Sequence, residues 1–289
     1  MDYFIKKAKL MKRISKPTLK AKNVFLDCIS TVANQTLKQH YTDCQDIIEA
    51  AEDDFEDKFV PCNIYQIARN SVVLHPIDKD EMKKVYDYRM VKPGMPGNKY
   101  YNKLKSSASH GKCPLCSVRD VDTLDHYLPK SNYPVFAVTS INLIPACTPC
   151  NKGKLISYPK TSEDQTLHPY YDSVEDEPWI KASVLQTTPI SFEYYVDCPV
   201  HWNQTLKDRA KNHFNSFKIN ELFSSHASEE LRGIKQQLIK LYNASQNLLE
   251  VYLTESYDSR LALGINSWQA VMYFALHNDE WFTQGGVLS

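Results

Sequence analysis

Cys113-Pro-Leu-Cys116, then Leu124-Asp125-His126-Tyr127-Leu128-Pro129, then Ile141-Asn142-Leu143, and last Cys147-Thr148-Pro149-Cys150-Asn151-Lys152-Gly153-Lys154 form the most informative run of the 289-residue chain. Each Cys-x-x-Cys is a knuckle that turns two thiolates toward one point. Two knuckles complete the tetrahedron that Zn²⁺ prefers. Thirty residues separate the pairs, enough for a small folded excursion between them. A site of four cysteines has no open position, so its zinc is structural and cannot activate water. The competing reading is a thiol redox pair, which is weak without a βαβ setting.

The excursion carries the chemistry. Asp125 and His126 fall at the end of an expected strand, before Leu128-Pro129 forces a loop. A carboxylate there is a hard ligand for Mg²⁺ or Mn²⁺, and the histidine is a base that titrates near neutrality. Asn151 follows Cys150 at the start of an expected short helix, where its amide oxygen can join the carboxylate on the cation. Lys152 and Lys154 share that segment and favour a phosphate, as does Lys130 in the loop.

These motifs, in the order Cys-x-x-Cys, Asp-His, Asn and Cys-x-x-Cys-Asn, resemble the HNH endonucleases with their ββα-metal finger. The resemblance covers about 45 residues, from Cys113 to Lys154. It implies that His126 is the general base that deprotonates the attacking water. It implies too that Asp125 and Asn151 hold the catalytic Mg²⁺ or Mn²⁺, and that Asn142 bonds across the loop to hold His126 in place. The third histidine of the family is an asparagine here. The loop from Pro129 to Asn142 also lacks the frequent Gly-Gly. The wording from Asp125 to Pro134 and from Asn142 to Lys154, with helical arms on both sides, is similar to HNH subunits of Septu-type and retron-associated anti-phage systems. That similarity implies an ATPase partner.

Outward from this centre, the chain reads as helix. Leu37, Tyr41, Cys44, Ile48, Ala51 and Phe55 recur at three- and four-residue steps. A further helix is expected over 79–90, and Pro93-Gly94 with Pro96-Gly97 marks a linker. Leu231, Ile234, Leu238, Leu241, Leu248 and Tyr252 continue the helical spacing late in the chain, after strand-like segments near 179–185 and 190–196. The expected fold is mostly α (α+β). A helical region at 1–95 and a helical, partner-binding region at 176–289 flank a zinc-stabilised ββα module at 96–175.

Charge is segregated although it sums to zero, with 34 Lys and Arg against 34 Asp and Glu. Residues 43–57 hold eight acids and no base, whereas 99–154 hold eight bases against three acids. A positive centre flanked by acidic runs suits a localised anion-binding face. Residues 1–22 carry eight bases, Lys6 to Lys22, and no apolar core behind them, so no signal peptide is expected and the chain is read as cytoplasmic. The longest apolar run, Ala270–Leu276, is far too short to cross a membrane. Only 8 glycines argue against a Gly-rich phosphate cradle.

The expected function is therefore metal-dependent hydrolysis of phosphodiester bonds in DNA, or in RNA such as tRNA. The alternative is a zinc-stapled module that binds nucleic acid or protein without cutting. The acidic run and the aromatic tail (Trp268, Tyr273, Phe274, Trp281, Phe282) are the candidate surfaces for the partner protein.

Overall fold

The computed structural model describes residues 14–60, 62–154 and 158–289, which form two compact units that meet in sequence at Asp172 and Ser173. The first unit opens with α1 (Ala21–Ile29), α2 (Gln35–Thr42) and α3 (Gln45–Phe59). Ala21, Val24, Phe25 and Cys28 put one face of α1 in the core, and Ile48, Glu52, Phe55 and Phe59 do so for α3. The periodic run from Leu37 to Phe55 is split between α2 and α3 at Asp43–Cys44. The phase survives the break, since Tyr41, Cys44, Ile48 and Phe55 are all buried.

A short hairpin follows, β1 (Val72–Leu74) with β2 (Ile77–Asp78), and then α4 (Lys79–Lys84), which the Asp78 carboxylate caps by accepting from the N–H groups of Asp80 and Glu81. The helix expected to 90 is present but widens into a π-helix over Val85–Met90. After the Pro-Gly run comes α5 (Asn98–Lys105). The expected linker is a packed turn: a Cβ on Gly97 would lie 2.5 Å from the Cys28 sulfur, so only glycine lets α5 come this close to α1. One core joins Val24, Phe25, Cys28, Ile48, Met82 and Met90 to Leu124 and Leu143, across the boundary expected at 95.

Leu124 and Leu143 belong to β3 (Thr123–His126) and β4 (Leu143–Ala146), an antiparallel pair, and α6 (Thr148–Lys154) follows directly. The acidic face of α3 is engaged by lysines of the same unit. Lys22 reaches Asp46 at 2.8 Å and Glu49 at 2.9 Å, and Lys16 pairs with Glu56. Buried Glu52 accepts from the Ala21 N–H at 3.1 Å, with Lys20 at 3.8 Å. The basic positions from Lys6 to Arg13 lie outside the described residues.

The second unit pairs β5 (Ile180–Leu185) with β6 (Ser191–Val196), the two strands expected from the sequence. Then come α7 (Gln204–Ser216), α8 (Ile219–Ala244), α9 (Gln246–Arg260), α10 (Trp268–Asn278) and the short α11 (Glu280–Thr283). Asn220 of α8 accepts from the Tyr194 N–H at 2.8 Å, which ties the longest helix to β6. The helical periodicity expected from Leu231 to Tyr252 is interrupted at Ser245, whose backbone is extended (ψ 135°). That break resets the phase, so Leu249 and Leu253 are buried instead of Leu248, which is 45% exposed. The aromatic tail goes mainly inward: Tyr273 and Phe282 are buried and Phe274 stays 47% exposed. The class is therefore mostly helical α+β with small two-stranded sheets. No helix among the described residues is long and apolar enough to cross a membrane.

Candidate metal centre and adjoining histidine site

The two knuckles do converge. The sulfurs of Cys113, Cys116, Cys147 and Cys150 all lie within 4.8 Å of one another, and all four residues are buried. Zn–S bonds of about 2.3 Å place tetrahedral sulfurs about 3.8 Å apart. Cys116 and Cys147 are 4.0 Å apart, close to that edge and far from a disulfide. The first knuckle is shaped by its backbone: Ser117 N–H donates to the Cys113 carbonyl at 2.7 Å, and Ser117 adopts a left-handed φ of 58°.

The electrostatics also suit a cation. Hydrogen bonds from Cys113, and then from the other thiols, hold Cys116 well below the ordinary thiol range. Cys113 also brings Cys147 down to about 7. Cys113 and Cys150 are pushed up by hydrogen bonding with their neighbours, Cys116 foremost for Cys113 and Cys113 foremost for Cys150. Two lowered thiols in one buried spot favour a divalent cation, whose binding would displace the protons of the other two. These residues fit zinc, and the convergence of all four counts against the redox-pair reading.

The cluster anchors a strand-strand-helix unit. Cys147 immediately precedes α6, whose first turn includes Asn151 N–H donating to the Cys147 carbonyl at 3.0 Å. Thr148 Oγ1 donates to Asp122 Oδ1 at 3.0 Å, next to the start of β3. In the β3–β4 register, Asp125 is opposite Ile144 and His126 is opposite Leu143. Both candidate residues thus end the strand, as expected. Asp125 is 4% exposed, and His126 is half-buried.

His126 is oriented by the loop that follows it. Its Nε2 lies 2.9 Å from the carbonyl oxygen of Ala137. A carbonyl only accepts, so in the neutral ring Nε2 carries the proton and the basic lone pair is on Nδ1. Asn142 is fully buried and fixes that loop with three bonds. Its Oδ1 accepts from Leu128 N–H at 2.7 Å, and its Nδ2 donates to the carbonyls of Leu128 at 3.1 Å and Phe136 at 3.3 Å. The side chain of Asn142 thus bonds across the loop, to Leu128 on one side and Phe136 on the other. Behind it, the fully buried His168 approaches the Ile141 carbonyl through Nε2 at 3.2 Å and accepts from Tyr170 N–H through Nδ1, a histidine of the core.

The remaining candidates divide. Asn151 is half-buried within α6, which begins at Thr148 rather than at Asn151, and α6 packs on β3. Lys152 is exposed. The side chain of Lys154 lies outside the described residues. Lys130 is only 23% exposed and is engaged inside the protein, 3.1 Å from Asp87 and 4.1 Å above the Tyr86 ring. Asp87 and Tyr86 were not among the sequence candidates. Buried Met82, Val85, Tyr86 and Met90 have ordinary α spacing, so nothing in the sequence signals the π-helix that presents them. The Ala137 carbonyl is equally invisible, because a backbone acceptor has no residue code.

No protein-family model matches the chain, and no solved structure matches it. Among curated proteins, Ea31 of Escherichia phage lambda is 30% identical over 230 residues, which span 74% of this chain and 77% of the relative. The chain belongs to the family of phage lambda protein Ea31.

Proposed function

We propose that this protein is a metal-dependent nuclease of the HNH type. The observation that carries the reading is the setting of His126: last residue of a strand, next to buried Asp125, with Nε2 tied to Ala137 and the loop locked by Asn142. That arrangement leaves Nδ1 as the basic atom, which is what a general base needs. Asp125 and Asn151 are the residues that would hold one Mg²⁺ or Mn²⁺. Such an ion supplies Lewis-acid stabilisation at the phosphate and the leaving oxygen. Asn142 and the carbonyl of Ala137 keep the imidazole aimed, and exposed Lys152 is the basic side chain that would meet the phosphate backbone. The zinc held by the four cysteines is structural and fastens α6 to the hairpin.

The substrate is DNA, or RNA such as tRNA. The protein acts in the cytoplasm as the nuclease subunit of an anti-phage complex with an ATPase partner, a role that rests on resemblance. The test uses purified protein with Mg²⁺ or Mn²⁺ on plasmid, single strands and tRNA, with His126→Ala as control. Cutting that depends on His126 and on the cation supports the reading. Tight nucleic-acid binding with no cutting of any substrate selects the non-cleaving zinc module instead.

A further inference from the structure

The Tyr86–Asp87 pair has no role in the chemistry described so far, yet it touches the site directly. The helix that starts as α4 takes one wide turn, with Val91 N–H donating to the Tyr86 carbonyl at 2.9 Å across five residues. Such π turns are rare and occur mostly as single insertions in α-helices, frequently at functional sites. This one delivers the buried Tyr86 ring edge-on to His126, with centroids 4.5 Å apart and planes at 67°. Lys130, four residues after His126, covers the ring at 4.1 Å and bonds Asp87 at 3.1 Å. Two neighbours on the helix therefore clasp two residues from the strand end and its loop.

We propose that Tyr86 is the positioning residue for His126, its ring setting the tilt of the imidazole while the Ala137 carbonyl sets the tautomer. The proposal rests on the nuclease reading, in which His126 is the base. The Ala137 carbonyl holds the imidazole at Nε2, and the edge-to-face contact with Tyr86 restrains the tilt of the ring plane, which a hydrogen bond at one atom sets only loosely. Lys130 and Asp87 keep the Tyr86 ring from rotating away in turn. Burial pushes the Tyr86 hydroxyl well above the usual phenol range, so it stays protonated, and the contact with His126 is made by the ring.

The test uses the full-length zinc-loaded protein. Tyr86→Phe keeps the ring and is expected to cut within about 3-fold of wild type. Tyr86→Leu is expected to lower kcat by roughly 10- to 100-fold, the scale of a small misplacement of a catalytic group, with KM, nucleic-acid affinity and zinc content unchanged. Combined with His126→Ala, Tyr86→Leu should cost nothing further, since there is no base left to aim. Wild-type kcat in Tyr86→Leu, equal loss in Tyr86→Phe, or a full additional loss on top of His126→Ala each overturns the proposal. A second measurement is independent of cleavage: nitrogen NMR of the His126 imidazole, which should show one fixed Nε2–H form and a ring-current shift that Tyr86→Leu removes. An unchanged spectrum in Tyr86→Leu also overturns it. If no substrate is cut by wild type but the spectrum responds, the nuclease reading falls and the positioning contact stands.

Discussion

At the residue scale, His126 and Asn142 make separable predictions. His126→Ala should lower cleavage by roughly 10²–10⁴-fold, the usual contribution of a general base, while affinity for nucleic acid stays within several-fold, as measured by anisotropy. Asn142→Ala instead strips partners from Leu128 and Phe136 and should destabilise the fold by about 1–3 kcal/mol for each buried group left unpaired, read by urea denaturation. Glu52 predicts a pH effect. Its burial pushes the carboxyl above the ordinary glutamate range, so the folded state holds the proton more tightly than the unfolded one. That contribution to stability is fully present below the unfolded pKa and is lost as pH rises through the folded one. Glu52→Gln keeps an acceptor for Ala21 N–H and should melt at an equal or higher temperature than wild type at pH 7, with the advantage shrinking at pH 4. The cysteines, the Asp-His pair and Asn142 were legible in the sequence because their chemistry depends on residue type and spacing. Tyr86, Asp87 and the Ala137 carbonyl were not, because a ring contact and a backbone acceptor depend on where tertiary packing puts them.

At the scale of elements, the two knuckles fix β3, β4 and α6 to one another. Cys113→Ser should lower bound zinc well below one per chain and destabilise this region, because metal affinity and local folding are one free energy. Elemental analysis beside thermal melts checks it, and an unaltered melt at zero zinc would sink it. Chelation of wild-type protein should do the same, with faster amide exchange over residues 113–154 than over α8. The hairpin and its helix were visible beforehand because Pro129 and the second knuckle punctuate them. The Ser245 break and the π turn were not, since neither contains proline or glycine; Leu248 and Leu249 are equally apolar, and only the break decides which one turns inward.

At the scale of the whole molecule, the two units divide what can be tested by truncation. Residues 173–289 should fold when expressed alone, since β5, β6 and α8–α11 share their own buried residues, among them Tyr194, Phe223, Tyr273 and Phe282. A cooperative melt and helical circular dichroism check this. Deleting the chain beyond 265 removes Tyr273 and Phe282 from that core, so it tests stability rather than partner binding. Charge reversal on exposed Lys152 is the gentler probe of nucleic-acid affinity, expected to weaken binding and lower its salt dependence. The acidic run illustrates why composition alone was a poor guide to partners: half its charge meets Lys16, Lys20 and Lys22 of the same chain. The four-cysteine cluster has one more consequence, in the order of synthesis. Asp125, His126 and Asn142 all emerge from the ribosome after the first knuckle and before the second. On the nuclease reading, a nascent chain carries the base, one cation ligand and the loop-locking asparagine while the clamp that shapes them is still half made, and Asn151 follows only after Cys150. Activity then begins only when the last cysteine is out and a metal ion is captured, which spares the cell that is making the protein.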